Sequence, residues 1–257
     1  MSQTANQFQE VPENQPITEQ ELDLSRVIKS DLTMKEVAHL KAPSITTTAE
    51  AIRALKIGNA RFFSGTRLPI DFSAVQRRAQ ILTQTPFAVV LGCSDSRVPT
   101  EIVYDQRPGD LFVIRVAGTV VESSTAGSIE YAVNHLKPKV VVVMGHEGCG
   151  AVKAAMLDEA TRSMEAQNIQ FLLNRIAPAI HNLPKIRDSK ARMREAVVAN
   201  IRLQVHQLKQ NPVIAEAVQN EQIAVIGAYY EISSGAVDFL ETESELRIDD
   251  EQFPERV

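Results

Sequence analysis

Cys93-Ser-Asp95-Ser-Arg97 and His146-Glu-Gly-Cys149 contain the only two cysteines of this 257-residue chain. Two thiols and one imidazole make a Cys2His donor set. Such a set suits zinc with one coordination position left open, because a closed structural site normally takes a fourth permanent ligand. His146 and Cys149 stand three positions apart, so a tight turn or a first helical turn lets both converge on one ion. Gly148 and Gly150 give the backbone room for that turn. A helix starting near Gly150 would help hold Cys149 as the thiolate that a metal requires. His-x-x-Cys alone occurs widely by chance; its pairing with the only other cysteine makes it informative. The bland alternatives are two buried apolar thiols or one disulfide.

Asp95 and Arg97 form the second group. A carboxylate two residues from a thiolate ligand is close enough to bind the metal, or to accept a proton or hydrogen bond from whatever fills the open position. Arg97 keeps its proton and is suited to clamp Asp95 through a planar, two-pronged contact. Elsewhere an Asp-x-Arg is an ordinary loop salt bridge; beside these ligands it reads as part of the site. Two thiolates oppose the lowering of a water's pKa more than three histidines would. Hydrogen bonding from Asp95, held by Arg97, is then a way to orient the nucleophile.

These residues need strands to carry them. Phe87 to Leu91, Leu111 to Ile114, Val140 to Met144 and Ile223 to Ile226 are short, nearly continuous apolar runs. Helical patterns are expected over Thr48 to Phe63, Phe72 to Leu82, Gly127 to Leu136, Ala151 to Met156, Asn168 to Ile180 and Ser189 to Gln210. Strands apolar on both sides with helical crossovers imply an α/β fold, a mostly parallel central β-sheet covered by helices. Ligands of such sheets gather at the carboxyl ends of the strands, where both metal segments fall. Residues 1–45 read as an amino-terminal arm, with short helices over Glu19 to Ile28 and Met34 to Leu40. Residues 46–257 read as the zinc domain.

A formal net charge of -5 and no dense Lys/Arg stripe argue against a nucleic-acid surface. No apolar run is long enough to cross a membrane, and the first residues lack the pattern of an export signal. Two cysteines in so long a chain are not a secreted disulfide framework, so a cytoplasmic location is expected.

Cys93-Ser-Asp95-Ser-Arg97-Val-Pro99, Pro108-Gly-Asp110-Leu-Phe112, Gly127-Ser-Ile-Glu130-Tyr131-Ala-Val133 and Val143-Met-Gly-His146-Glu-Gly-Cys149-Gly-Ala151 resemble the beta-class carbonic anhydrases. Gly58-Asn-Ala-Arg61-Phe62 and Gly227-Ala-Tyr229-Tyr-Glu-Ile-Ser-Ser-Gly235 extend the likeness, which runs from about residue 48 to 242. The resemblance implies that Cys93, His146 and Cys149 ligate zinc. It implies that Arg97 holds Asp95 off the metal in one state, while in another Asp95 takes the fourth position and shuts the enzyme off. The activity implied is that of a lyase, the reversible hydration of carbon dioxide to bicarbonate and a proton. Gln84, Phe112 and Tyr131 match residues of the small substrate pocket. The resemblance further implies a homodimer that pairs into tetramers or larger assemblies, with an amino-terminal helix lying across a second subunit and active sites that often draw on both protomers.

One stretch departs from the family. After Arg115 many members carry Asn, a small segment and a second Asn; here the residues are Val116-Ala-Gly118-Thr119. Two rivals share the ligand set: hydrolysis of carbon disulfide or carbonyl sulfide, and a zinc-stabilised protein without catalysis. A phosphate-binding reading of Gly145-x-x-Gly148-x-Gly150 lacks the Lys-Ser/Thr ending of a phosphate loop.

Overall fold

The computed structural model describes residues 45–69, 84–181 and 183–240. The expected arm, apart from its last residue, and the expected helix over Phe72 to Leu82 lie outside the described residues.

Helix α1, Thr48–Phe63, has the expected bounds. Thr47 and Glu50 form a reciprocal capping box at its start, which satisfies backbone donors that a helix end leaves free. Ile52 and Leu55 bury its inner face. Strand β1, Ala88–Gly92, leads to a one-turn helix α2, Thr100–Val103, and to β2, Leu111–Arg115. A 3-10 turn over Ala117–Thr119 follows, then α3, Ser123–Tyr131, which runs on into a π turn over Ala132–Leu136. Helix α3 begins four residues before the expected Gly127, because the Glu122 carboxylate accepts from the backbone N–H groups of Ser124 and Thr125 and caps it there. Strand β3, Val140–His146, is followed by α4, Gly150–Ala155, the short α5, Glu159–Arg162, and α6, Gln167–Ile180. Helix α7, Ser189–Gln210, again has the expected bounds. Helix α8, Pro212–Gln219, and strands β4, Ala224–Tyr230, and β5, Val237–Leu240, complete the described chain.

The strands form one sheet in the order β2-β1-β3-β4-β5. All neighbours are parallel except β5, which runs antiparallel to β4. Side chains alternate between two cores, as the two-residue repeat of a strand requires. Val89, Leu91, Val141 and Val143 face the layer that holds α4, α6 and α7. Ala88, Val90, Val140, Val142 and Met144 face the layer that holds α1 and α2. The expected α/β class is therefore the observed one, a mostly parallel sheet with helices on both faces.

Helix α7 lies unusually close to the sheet. A Cβ on Gly145 would stand 2.7 Å from Ile201 Cδ1, and one on the neighbouring Gly227 would stand 2.7 Å from Ile201 Cγ2. Ile201 thus seats in a hollow made by two glycines of adjacent strands, a contact that any side chain there would wedge apart.

Candidate active site

Cys93 follows the last residue of β1, His146 is the last residue of β3, and Cys149 caps the start of α4. Parallel pairing of β1 with β3 brings these ends side by side. The two sulfurs and one imidazole nitrogen lie within 4.8 Å of one another, and all three residues are buried. Tetrahedral zinc with bonds of about 2.0–2.3 Å needs its ligand atoms about 3.5–4 Å apart, so a small inward adjustment would close the set on an ion.

Two observations test whether a metal fits. His146 is 0% exposed, and its Nε2 has no hydrogen-bond partner. An orphaned polar atom at that depth is costly unless something binds it. Its other nitrogen, Nδ1, lies 2.9 Å from the Glu147 carbonyl oxygen, which makes Nδ1 the donor and leaves Nε2 a lone pair to offer. Both cysteines are free thiols. The Cys93 thiol is held down to about 4, chiefly by the Cys149 thiol that donates toward it, with the Asp95 and Gly118 backbone N–H groups also facing the sulfur. Cys149 is pushed up because it holds the shared proton and because it is buried. A Cys2His set with one thiolate already favoured suits zinc.

Asp95 stands at the open side of the triad, with Oδ2 3.9 Å from His146 Nε2. Arg97 grips this carboxylate at three points. Its Nε donates to Oδ1 at 3.0 Å, its Nη2 to Oδ2 at 2.8 Å, and its backbone N–H to Oδ1 at 2.9 Å. Those hydrogen bonds hold the Asp95 carboxyl well below the usual carboxylate range, and the same contact raises the Arg97 guanidinium. The two-pronged geometry expected from the sequence is present. The Asp95 side chain is 18% exposed and that of Arg97 55%, so the clamp faces solvent while the triad does not.

Phe112 packs against the same core layer that contains Cys93 and Cys149. Its ring centroid lies 6.4 Å from that of Tyr131, which ends α3 and is 49% exposed. Gln84 is exposed in the segment that leads into β1. Phe112 and Tyr131 therefore form a pair near the β2 edge, and Gln84 lies apart from the triad in sequence and is open to solvent.

One contributor escaped the sequence reading. Arg115 ends β2 in register with Gly92, and its Nε donates to the Cys93 carbonyl at 2.9 Å while its Nη2 donates to the Asp95 carbonyl. It fixes the backbone between Cys93 and Asp95. A cation closing an apolar strand beside the ligand-bearing one was the available signal.

The turn after Arg115 has unusual geometry. Gly118 has φ 72° and Thr119 has φ 58°, consecutive left-handed residues. Glycine adopts this freely, but a β-branched residue does so under strain, whereas asparagine tolerates it.

A family model described as carbonic anhydrase matches residues 88–237. The carbonic anhydrase of Mycolicibacterium smegmatis is 39% identical over 196 residues, which cover 73% of this chain and 91% of that protein. Carbonic anhydrase 2 of Mycobacterium tuberculosis is 36% identical over 191 residues, covering 74% of this chain and 91% of that one. Among solved structures, a tetrameric beta-carbonic anhydrase of the ascomycete Sordaria macrospora superposes with a TM-score of 0.58 at 31% identity, over 62% of this chain and 82% of that one. With the sheet order, the strand-end triad and these likenesses together, the chain belongs to the beta-class carbonic anhydrase family and is an enzyme of that family's lyase type.

Proposed function

We propose that this protein catalyses the zinc-dependent, reversible hydration of carbon dioxide to bicarbonate and a proton, with Cys93, His146 and Cys149 as the metal ligands. The observation that carries the reading is a buried Cys-His-Cys triad with a clamped carboxylate 3.9 Å from His146 Nε2. Zinc bound there would act as a Lewis acid that lowers the pKa of a water toward neutrality. Asp95, kept ionised by Arg97, accepts a hydrogen bond from the attacking water and aims its free lone pair at the carbon of carbon dioxide. The oxygen–carbon bond forms as one C=O electron pair moves onto oxygen, giving bicarbonate, and the water's proton passes to solvent or buffer. Arg97 sets the state of the site. Gripped by Arg97, Asp95 would be kept off a metal held by the triad, and released from that grip it would be free to reach one.

Phe112 and Tyr131 supply the apolar wall that a small, uncharged substrate needs, and Gln84 a polar contact for bicarbonate. The half-buried apolar side chains of β2 and the exposed Tyr131 ring beside them support a homo-oligomer, a dimer or a dimer of dimers, closing the pocket at that edge. Among the described residues no helix is long and apolar enough to cross a membrane. Two thiols that must stay reduced fit the cytoplasm.

Stopped-flow carbon dioxide hydration on protein of measured zinc content tests the proposal. Hydration that scales with zinc and is lost in Cys93→Ala supports it. Full zinc with no hydration at any pH overturns it and favours a sulfur-containing substrate or a structural role.

A further inference from the structure

Two side-chain amides lie buried in α7 one turn apart, Asn200 at 2% exposure and Gln204 at 0%. A buried amide is costly unless its donors and acceptor are used, and an apolar residue would pack there without that cost. Val197, Ile201 and Leu208 already supply the packing of this helix face. The amides spend their hydrogen bonds chiefly on the turn after β2, and Gln204 Nε2 also donates to the Arg175 carbonyl in α6 at 3.4 Å. Asn200 Nδ2 donates to the Gly118 carbonyl at 2.8 Å. Gln204 Oε1 accepts from the Val121 N–H at 2.7 Å, and Gln204 Nε2 donates to Asn200 Oδ1 at 3.0 Å, which fixes the direction of both amides.

That turn is wedged between the elements that carry the two thiols. Its Val116 N–H donates to the Gly92 carbonyl, one residue before Cys93, at 3.1 Å. Gly118 leaves no room for a side chain: a Cβ would stand 3.1 Å from the Cβ of Ala151 in α4, the helix capped by Cys149, and 2.4 Å from Ile176 Cδ1. Two consecutive left-handed residues, one of them β-branched, do not hold such a turn unaided.

We propose that Asn200 and Gln204 are positioning residues of the metal site: through the 116–121 turn, which is tied to the Gly92 carbonyl on one side and packed on Ala151 on the other, they set the gap between the two thiols. The spacing of two sulfurs decides how well they close on one ion, so these amides tune the site without touching it. The inference rests on the zinc reading above.

The test begins with the unmutated protein loaded with cadmium and read by its thiolate-to-metal charge-transfer absorption. Protein that takes up no cadmium at the triad overturns the zinc reading itself, a distinguishable failure. Asn200→Leu and Gln204→Met extend the test. Each is expected to keep the parent's circular dichroism, to release zinc about 10–100-fold faster, and to shift the thiolate-to-metal charge-transfer band of the cobalt-substituted protein. Because both act through one turn, the double variant should release zinc little faster than the stronger single one. Folded variants with parental zinc release and an unshifted cobalt band would reduce the pair to a structural role.

Discussion

The two strand ends that bring the Cys-His-Cys cluster together are built by different means. At the end of β3, His146 is fully buried, pairs with Tyr230 in the sheet, and has Nδ1 fixed on its neighbour's carbonyl. Glu147 extends the anchorage, since its N–H donates to the Tyr230 carbonyl at 2.8 Å and its Oε2 accepts from the Ser233 N–H at 2.9 Å. Past the end of β1, Cys93 and Val98 are buried, but Ser94, Ser96 and Arg97 between them are exposed, and the loop is held by arginines. Burial and sheet register give one position with no low-energy alternative. An exposed ion pair is worth at most about 1 kcal/mol and exchanges readily with solvent. The site thus joins a fixed wall to an adjustable one, and the Asp95–Arg97 pair is on the adjustable side.

The largest effect expected is on the fixed wall. His146→Ala or Cys149→Ala should reduce zinc from about one per chain to almost none, read by metal analysis of purified protein. Undiminished zinc in both would remove the basis of the comparison.

On the adjustable wall, Arg97→Ala should keep its zinc yet lose about 10–100-fold in kcat/KM for hydration. A variant with parental kinetics would show that the clamp does not control the site. The pH profile sharpens this. Arg97 depresses the Asp95 pKa, so the pair's contribution to stability is present above the ordinary carboxylate range and is lost only as pH falls through the lowered value. Asp95 is already ionised across about pH 6.5–9, and a rate that rises over that range must reflect the water rather than Asp95. A flat profile in fully zinc-loaded protein would contradict that assignment.

A smaller effect is expected between the walls. Thr119→Asn should relieve a left-handed β-branched residue and raise stability by about 1 kcal/mol, measured as an increase in Tm with zinc content unchanged. A decrease would mean that the Thr119 hydroxyl, 3.4 Å from the Met144 carbonyl, outweighs the strain.

The smallest is a control away from both ends. Backbone N–H groups of Thr46 and Thr47 hold the Glu50 carboxyl down to about 2. A carboxylate with a lowered folded pKa stabilises above its unfolded value, about 4.3, and loses that contribution as pH falls toward 2. Glu50→Gln should therefore lower Tm modestly at neutral pH, with the gap closing over that acid range, and leave hydration untouched.

Much of the fixed wall was legible in the sequence because burial on both faces writes itself as continuous Val runs, and because His146 and Cys149 stand together in the chain. Helices α1 and α7 were readable from their helical patterns. Strand β5 was not: Val237-Asp-Phe-Leu240 is short and only half-covered, and its pairing depends on a turn that folds it back on β4. Helix α8 was hidden because Asn211-Pro212 reads as a stop, although the same residues cap and start the next helix. Arg115, Asn200 and Gln204 are contributors of a further kind. Their roles come from backbone atoms far along the chain, and in a linear reading the two amides look like the polar side of an amphipathic helix.

Ile201 sits directly after Asn200 and rests in the hollow formed by Gly145 and Gly227. Those two glycines bear no chemistry, yet together they set how deep α7 lies and so where its amides can reach. In a mutational survey of catalytic fitness, positions 145 and 227 should therefore score as intolerant as many residues of the site. Even alanine would be penalised there, for a displacement of the neighbouring helix rather than for the loss of any reacting group.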